Sequence, residues 1–297
     1  MLPDPFPPAF DLHVGIDWTG AQPARGIAIA VVSPADRIVR PVPPPGRHWR
    51  REEAVDWLLD RLAQGRRLLV GIDCAFSLPW VSGAGYLDGR VPGVTDLFAL
   101  WDLVEAAAGG APDDFAGAVV HDPRFAPSFW IAGPTPPHWG DGSTKRRRVE
   151  VAAAVGGFGT PVSVFKLAAA AKQVGKASLA GMRSLRRLRR EAGDRLAVWP
   201  AEPVGARSVV CEIYPTLFRR RAGHGTTKLR TLAELERALA AFGCALPPGF
   251  PEGFDDHTGD AMISAAGLLA LAGAARVWTA PDAEAARREG WIFGVDA

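Results

Sequence analysis

The chain has 297 residues, 48% of them hydrophobic and 22% charged, with a formal net charge of +2. These values exclude a disordered or collagen-like polymer and leave room for one elaborated domain or two small ones. The longest uncharged apolar run, residues 261–275, falls short of the roughly 20 residues a spanning helix needs, so a buried core helix and no membrane span are expected. Residues 1–8 lack the basic start and apolar core of a secretory signal, which predicts a cytoplasmic protein. The three cysteines (Cys74, Cys211 and Cys244) form no C-x-x-C pair and read as buried reduced thiols rather than a zinc site or a disulfide framework.

Residues 12–17 alternate, with Leu12, Val14 and Ile16 on one face and His13, Gly15 and Asp17 on the other, which predicts a strand ending at an acid. Two further β-rich runs, 26–32 and 37–42, flank the turn-forming Ser33-Pro34-Ala35-Asp36 and predict a hairpin. A helix over 52–63 is indicated by Val55, Leu58, Leu59 and Leu62, and a buried strand over 67–73 follows. Residues 80–205 read as a large insertion. It contains a helix near 94–108, a stretch rich in Pro, Gly and Trp over 111–142, and an amphipathic helix over 178–192. A strand over 208–214 and helices over 232–242 and 256–275 complete the chain. This order predicts one α/β domain spanning 1–297, with a mixed sheet covered on both faces.

Charge is unevenly distributed. Residues 141–230 hold 19 Lys and Arg against 6 Asp and Glu, whereas the remainder holds 15 against 26. The basic segment predicts a face for polyanions, with Lys166, Lys172, Lys176, Arg186 and Arg190 as candidate phosphate contacts and nucleic acid as the candidate partner. Solvated surface charge is the competing reading, since the chain carries five Lys against 29 Arg.

The tetrapeptide Val-Gly-Ile-Asp occurs at 14–17 and again at 70–73, each time closing an apolar run. If the two strands are parallel neighbours, ~4.8 Å apart, Asp17 and Asp73 end side by side. Two such carboxylates must share a proton or hold a cation, and oxygen ligands favour Mg²⁺ or Mn²⁺. Glu212 ends another strand, and Asp256 and Asp260 stand one turn apart at the start of the last long helix. Taken singly, each acid also has a structural reading as a turn former, an ion-pair partner, an edge residue or a helix cap. His257, between the two helix acids, reads as an exposed helix-start residue, with assistance to proton transfer as the alternative. Trp18 reads as a core aromatic, with base stacking as its alternative.

The elements Gly15-Ile16-Asp17, Gly71-Ile72-Asp73 with Ser77-Leu78-Pro79, Glu212-Ile213-Tyr214-Pro215, and Asp256 through Asp260-Ala261 resemble domain-of-unknown-function family 429, described as predicted nucleases of the RNase H-like fold. Inside the insertion, Arg148-Val149-Glu150, Ser163-Val164-Phe165, Val174-Gly175 with Gly181-Met182, residues 185–189 and Val198-Trp199-Pro200 are similar to that family's spaced motifs. The resemblance spans nearly the whole chain. It implies an RNase H-like five-stranded sheet in the order 3-2-1-4-5, with the insertion after the fourth strand. By position it implies metal binding through Asp17, Asp73 and Asp260, with Glu212 as the fifth-strand acid and Asp256 as the second helix acid. The strand-four acid is Asp, where Glu is commoner among RNase H-like nucleases.

The activity expected on these grounds is metal-dependent phosphodiester hydrolysis, with Asp17, Asp73, Glu212 and Asp260 catalytic and two metal ions ~4 Å apart between Asp17, Asp73, Asp256 and Asp260. A non-catalytic nucleic-acid-binding or scaffold protein on the same fold is the first alternative. A phosphotransferase is the second, although the glycine loops at 140–145 and 223–228 do not fit G-x-x-x-x-G-K-[ST] and read as flexible connections.

Overall fold

The computed structural model describes residues 9–167, 174–280 and 282–295, so residues 1–8, on which the secretory reading rests, and Lys172 lie outside the described residues. In chain order the elements are β1 (Leu12–Asp17), β2 (Ala28–Val32), β3 (Arg40–Val42), α1 (Arg51–Ala63), β4 (Leu68–Ile72), a small hairpin of β5 (Trp80–Val81) and β6 (Gly85–Tyr86), and α2 (Leu97–Ala108). They continue with α3 (Arg148–Val155), α4 (Val174–Ala192), β7 (Leu196–Val198), β8 (Ser208–Glu212), α5 (Pro215–Arg221), α6 (Leu232–Ala240), α7 (Asp256–Leu271) and α8 (Ala283–Glu289). No described helix is long and apolar enough to cross a membrane.

The main sheet is mixed and six-stranded, in the order β3-β2-β1-β4-β8-β7. The strands expected from the sequence hold the expected neighbours, and the sheet carries one more: β7 adds a parallel edge beyond β8. Three residues are too few for hydrophobic alternation to reveal, which is why this strand was read as part of the insertion. Strands β1, β4 and β8 run parallel, with Ile16 beside Ile72 and Ile72 beside Glu212. Every residue of these three strands is buried, as expected where helices cover both faces.

One face of the sheet packs Ile16, Val70 and Val210 against Leu58 of α1, Leu100 of α2 and Leu179 and Leu185 of α4. The opposite face packs Leu69 and Cys211 against Leu217 of α5, Leu239 of α6 and Leu268 of α7. Helices α2 and α4, from residues 80–205, therefore form one helical layer together with α1. All three cysteines are buried and free.

The apolar stripe of α4 is buried as its spacing predicts, but its basic residues are paired. Arg183 meets Glu105 at 2.8 Å, Arg186 meets Asp102 at 2.6 Å, Arg187 meets Asp56 at 2.5 Å, and Arg189 meets Glu202 at 2.8 Å. Acids of α1 and α2 thus neutralise much of the basic segment from within the molecule, which accounts for part of the charge asymmetry along the chain.

Candidate active site at the carboxyl ends of the parallel strands

Alternation along β1 places His13, Gly15 and Asp17 on the α7 face, and the parallel register of β4 places Leu69, Gly71 and Asp73 there too. The two glycines let α7 approach. A Cβ on Gly15 would lie 2.3 Å from the carbonyl oxygen of Ala261 and 2.6 Å from the nitrogen of Ala265, while one on Gly71 would lie 2.5 Å from Ile213 and 2.9 Å from Leu268. Close packing at Gly15 brings the residue preceding Ala261, Asp260, to the strand ends. The repeated Val-Gly-Ile-Asp therefore combines a close-approach site with an acid two residues later.

Asp17 closes β1, and the backbone N–H of Asp73 donates to the carbonyl of Ile16 at 2.9 Å. Asp17 and Asp260 are 6% and 2% exposed. Burial is the main cause that lifts the carboxyl pKa of Asp73 well above its ordinary range, with the charges of Asp17 and Asp260 adding to it. Asp17 is raised in the same direction, again by burial first. Its Oδ2 lies 2.5 Å from Nδ1 of His257, and this hydrogen bond raises the imidazole pKa. His257 is an exposed residue of the first turn of α7, as expected, and is also the partner of Asp17.

Asp260 is held by two cations: Arg219 donates to Oδ1 and Lys228 to Oδ2. Arg219 is anchored in turn on Thr216 Oγ1 at 2.7 Å. Burial works against a charge on Lys228, but Asp260 and Asp17 hold its pKa above the ordinary value. The segment 223–228, read from the sequence as a flexible loop, therefore delivers a site residue. Asp73 alone of the three acids makes no side-chain hydrogen bond or ion pair among the described residues.

Glu212 shares the register of Ile72 and so points to the opposite face of the sheet from Asp17 and Asp73. Arg147 binds it in bidentate fashion at 2.6 and 2.7 Å, and it accepts from the backbone N–H of Phe76 at 3.0 Å. Arg147 also reaches Glu150 at 2.9 Å and the carbonyl of Glu289 at 3.1 Å. Burial pushes the Glu150 carboxyl up to about 7. Glu212 belongs to this buried clasp instead of the acid cluster.

These groups surround one cavity of about 780 Å³ whose lining includes Asp17, Asp73, Glu212, Asp260, His257, Lys228, Arg219 and Lys176. Asp256 does not line it. That residue meets Arg230 at 3.6 Å, and Asp255 caps α7 through the N–H of Thr258. Of the four described cations expected to contact phosphate, Lys176 alone lines the cavity. Lys166 lies over the ring of Trp130, Arg186 is held by Asp102, and Arg190 lies 3.8 Å from Glu191. Trp18 is buried in the core cluster and also lines the cavity.

Asp17 and Asp73 offer oxygen donors suited to a hard divalent cation, and the unpaired Asp73 carboxylate is the feature that fits one. The wider metal set expected from the sequence is not formed. Among the described residues no group of three or more His, Cys, Asp or Glu is arranged to hold a metal, because Asp260 is taken up by Arg219 and Lys228, Asp256 lies outside the cavity and Glu212 is bound to Arg147. Two carboxylates meet the minimum for Mg²⁺, which usually keeps several waters and draws further ligands from substrate phosphates.

Arg147, Glu150, Arg219 and Lys228 were not picked out from the sequence as site residues. Glu150 pairs with Arg147 only three residues away, but the other partners lie 65 residues apart for Arg147 and Glu212, and 41 and 32 residues away for the two cations on Asp260, so no local pattern announces these. Comparison of the chain with protein-family models, with curated proteins and with solved structures finds no match.

Proposed function

We propose that the protein is a divalent-metal-dependent phosphodiesterase, a nuclease of RNase H-like architecture acting on nucleic acid, with Asp17, Asp73 and Asp260 at its centre. One observation carries this reading: three carboxylates from β1, the end of β4 and α7 converge on one cavity, and the Asp73 side chain makes no hydrogen bond or ion pair among the described residues. Carboxylates so placed share a proton or hold a cation, and the cation is the state proposed for the active protein. Asp17 and Asp73 would hold Mg²⁺ or Mn²⁺, whose contribution in such a site is Lewis-acid polarisation of a phosphoryl oxygen. Lys228 and Arg219, already at the cavity wall, supply fixed positive charge for a phosphate. His257, with Nδ1 on Asp17, leaves Nε2 to take or give a proton. The strand order and the acids at the carboxyl ends of the parallel strands support the architecture, since open α/β sheets bind ligands in that crevice.

A phosphodiester-binding module without turnover is favoured by one observation, the neutralisation of Asp260 by two side-chain cations. Calorimetric titration with Mn²⁺, followed by hydrolysis of bis(p-nitrophenyl) phosphate, separates the two readings. The enzyme reading expects Mn²⁺ binding and hydrolysis that are both lost in Asp73→Asn. Absence of both in the wild-type protein overturns it.

A further inference from the structure

Building on the phosphodiesterase reading, we infer that the site acts on phosphodiesters of nucleotide size, either free dinucleotides or the terminal linkage of a single strand, and that duplexes and uninterrupted strands are excluded. The acids form part of the wall of a partly open cavity of about 780 Å³, within the range of small-molecule sites. Asp17 and Asp260 are 6% and 2% exposed and Asp73 is half-buried, so the backbone of a rigid duplex has little carboxylate surface to reach.

The wall over the strand ends is built into the fold. The segment after β1, residues 18–22, packs on the first turn of α4 through Gly20, where a Cβ would lie 2.2 Å from the Lys176 backbone. Gly175 would place a Cβ 2.0 Å from the carbonyl of Val164, and Gly181 would place one 2.4 Å from Sγ of Cys74. The contacts at Gly20 and Gly181 hold α4 against the segments that follow β1 and β4, so opening there to admit a duplex would break packed contacts.

The chemistry of the lining matches a nucleotide. Lys176, Lys228 and Arg219 provide cations, and the half-buried rings of Phe115 and Tyr214 provide aromatic surface.

The test offers four substrates to the full chain in Mn²⁺: a thymidine dinucleotide, a short linear single strand, a covalently closed circle of the same strand, and a duplex capped by hairpins at both ends. Hydrolysis is followed by chromatography. Binding to Asp73→Asn, without added metal, is followed by competition against a fluorescent dinucleotide. The inference expects the dinucleotide or the linear strand to be cut, and at least about tenfold weaker competition by the circle and the capped duplex. Preference for the dinucleotide over the linear strand identifies a free small substrate, and stepwise shortening of the linear strand identifies a terminus. Cleavage of the circle or the capped duplex at the rate of the linear strand overturns the size limit while leaving the phosphodiesterase reading intact. Absence of binding and cleavage with all four substrates overturns both.

Discussion

Gly15 and Ala261 touch so closely that a methyl group on the glycine would stand 2.3 Å from the alanine carbonyl oxygen. The contact fixes how near α7 approaches β1, and so how near Asp260 comes to Asp17. Gly15→Ala is expected to force the helix outward, at a cost of about 3 kcal/mol in folding stability. The urea midpoint should fall accordingly. In whatever fraction remains folded, metal affinity should fall as well. A variant with wild-type stability and metal binding would show that α7 has room to move.

Asp73 is the acid without an ion pair among the described residues, and its neighbours Asp17 and Asp260 disfavour its ionisation. Asp73→Asn keeps the shape and removes the repelled charge. In metal-free buffer its melting temperature should exceed that of the wild-type protein, whereas added Mn²⁺ should stabilise only the wild type. A drop in melting temperature without metal would mean that the Asp73 carboxylate is stabilised by a contact other than a cation.

Arg147 joins Glu212, Glu150 and the carbonyl of Glu289 in one buried cluster. Arg147→Ala leaves two carboxylates without their cation and should cost about 3–5 kcal/mol. Adding Glu212→Gln should recover part of that loss, because the uncompensated charge rather than the missing contact dominates it. Chemical denaturation of the single and double variants measures the coupling.

Arg186 tests the fate of the basic helix. Its 2.6 Å pair with Asp102 is partly exposed, so Arg186→Ala should change stability by less than about 1 kcal/mol. Because Arg186 does not line the cavity, the salt dependence of single-strand binding should be unchanged. Lys176→Ala, at the cavity wall, should reduce that salt slope.

His13 gives the molecule an acid-sensitive element away from the site. Burial, with a smaller effect of Arg37, lowers its pKa to about 4. The unfolded chain takes up a proton near the ordinary histidine value of 6.5 while the fold resists until about 4, so stability is lost as the pH falls through that window. The loss reaches about 3 kcal/mol once pH 4 is passed. His13→Leu should flatten the decline in urea midpoint between pH 7 and pH 4. An unchanged decline would place the acid sensitivity in other groups.

Much of the architecture is legible in the sequence because it is written in local period and punctuation. The strands that became β1 and β4, the acids that end them and the apolar stripe of α4 follow from alternation and helical spacing. The parallel pairing of the two Val-Gly-Ile-Asp segments follows from their repetition. The short edge strand β7 carries too few residues to alternate. Glu212 illustrates a second limit: its place at a strand end was readable, but its face depends on a one-residue difference in parity between β4 and β8. The cations on Asp260 and the arginine within the Glu212 clasp are set by tertiary contacts, as are the acids that bind the arginines of α4. Composition showed that these charges exist, and only the fold shows where each is spent.

The longest reach in the site joins Asp17 to His257, 240 residues further along the chain, while Arg147 waits for the carbonyl of Glu289. During synthesis the first acid leaves the ribosome long before the helix that carries its imidazole and the third carboxylate. A nascent chain, even one whose early strands have begun to pair, therefore has no complete centre. Activity on the proposed reading begins only once α7 and Glu289 have been made and packed against the strand ends.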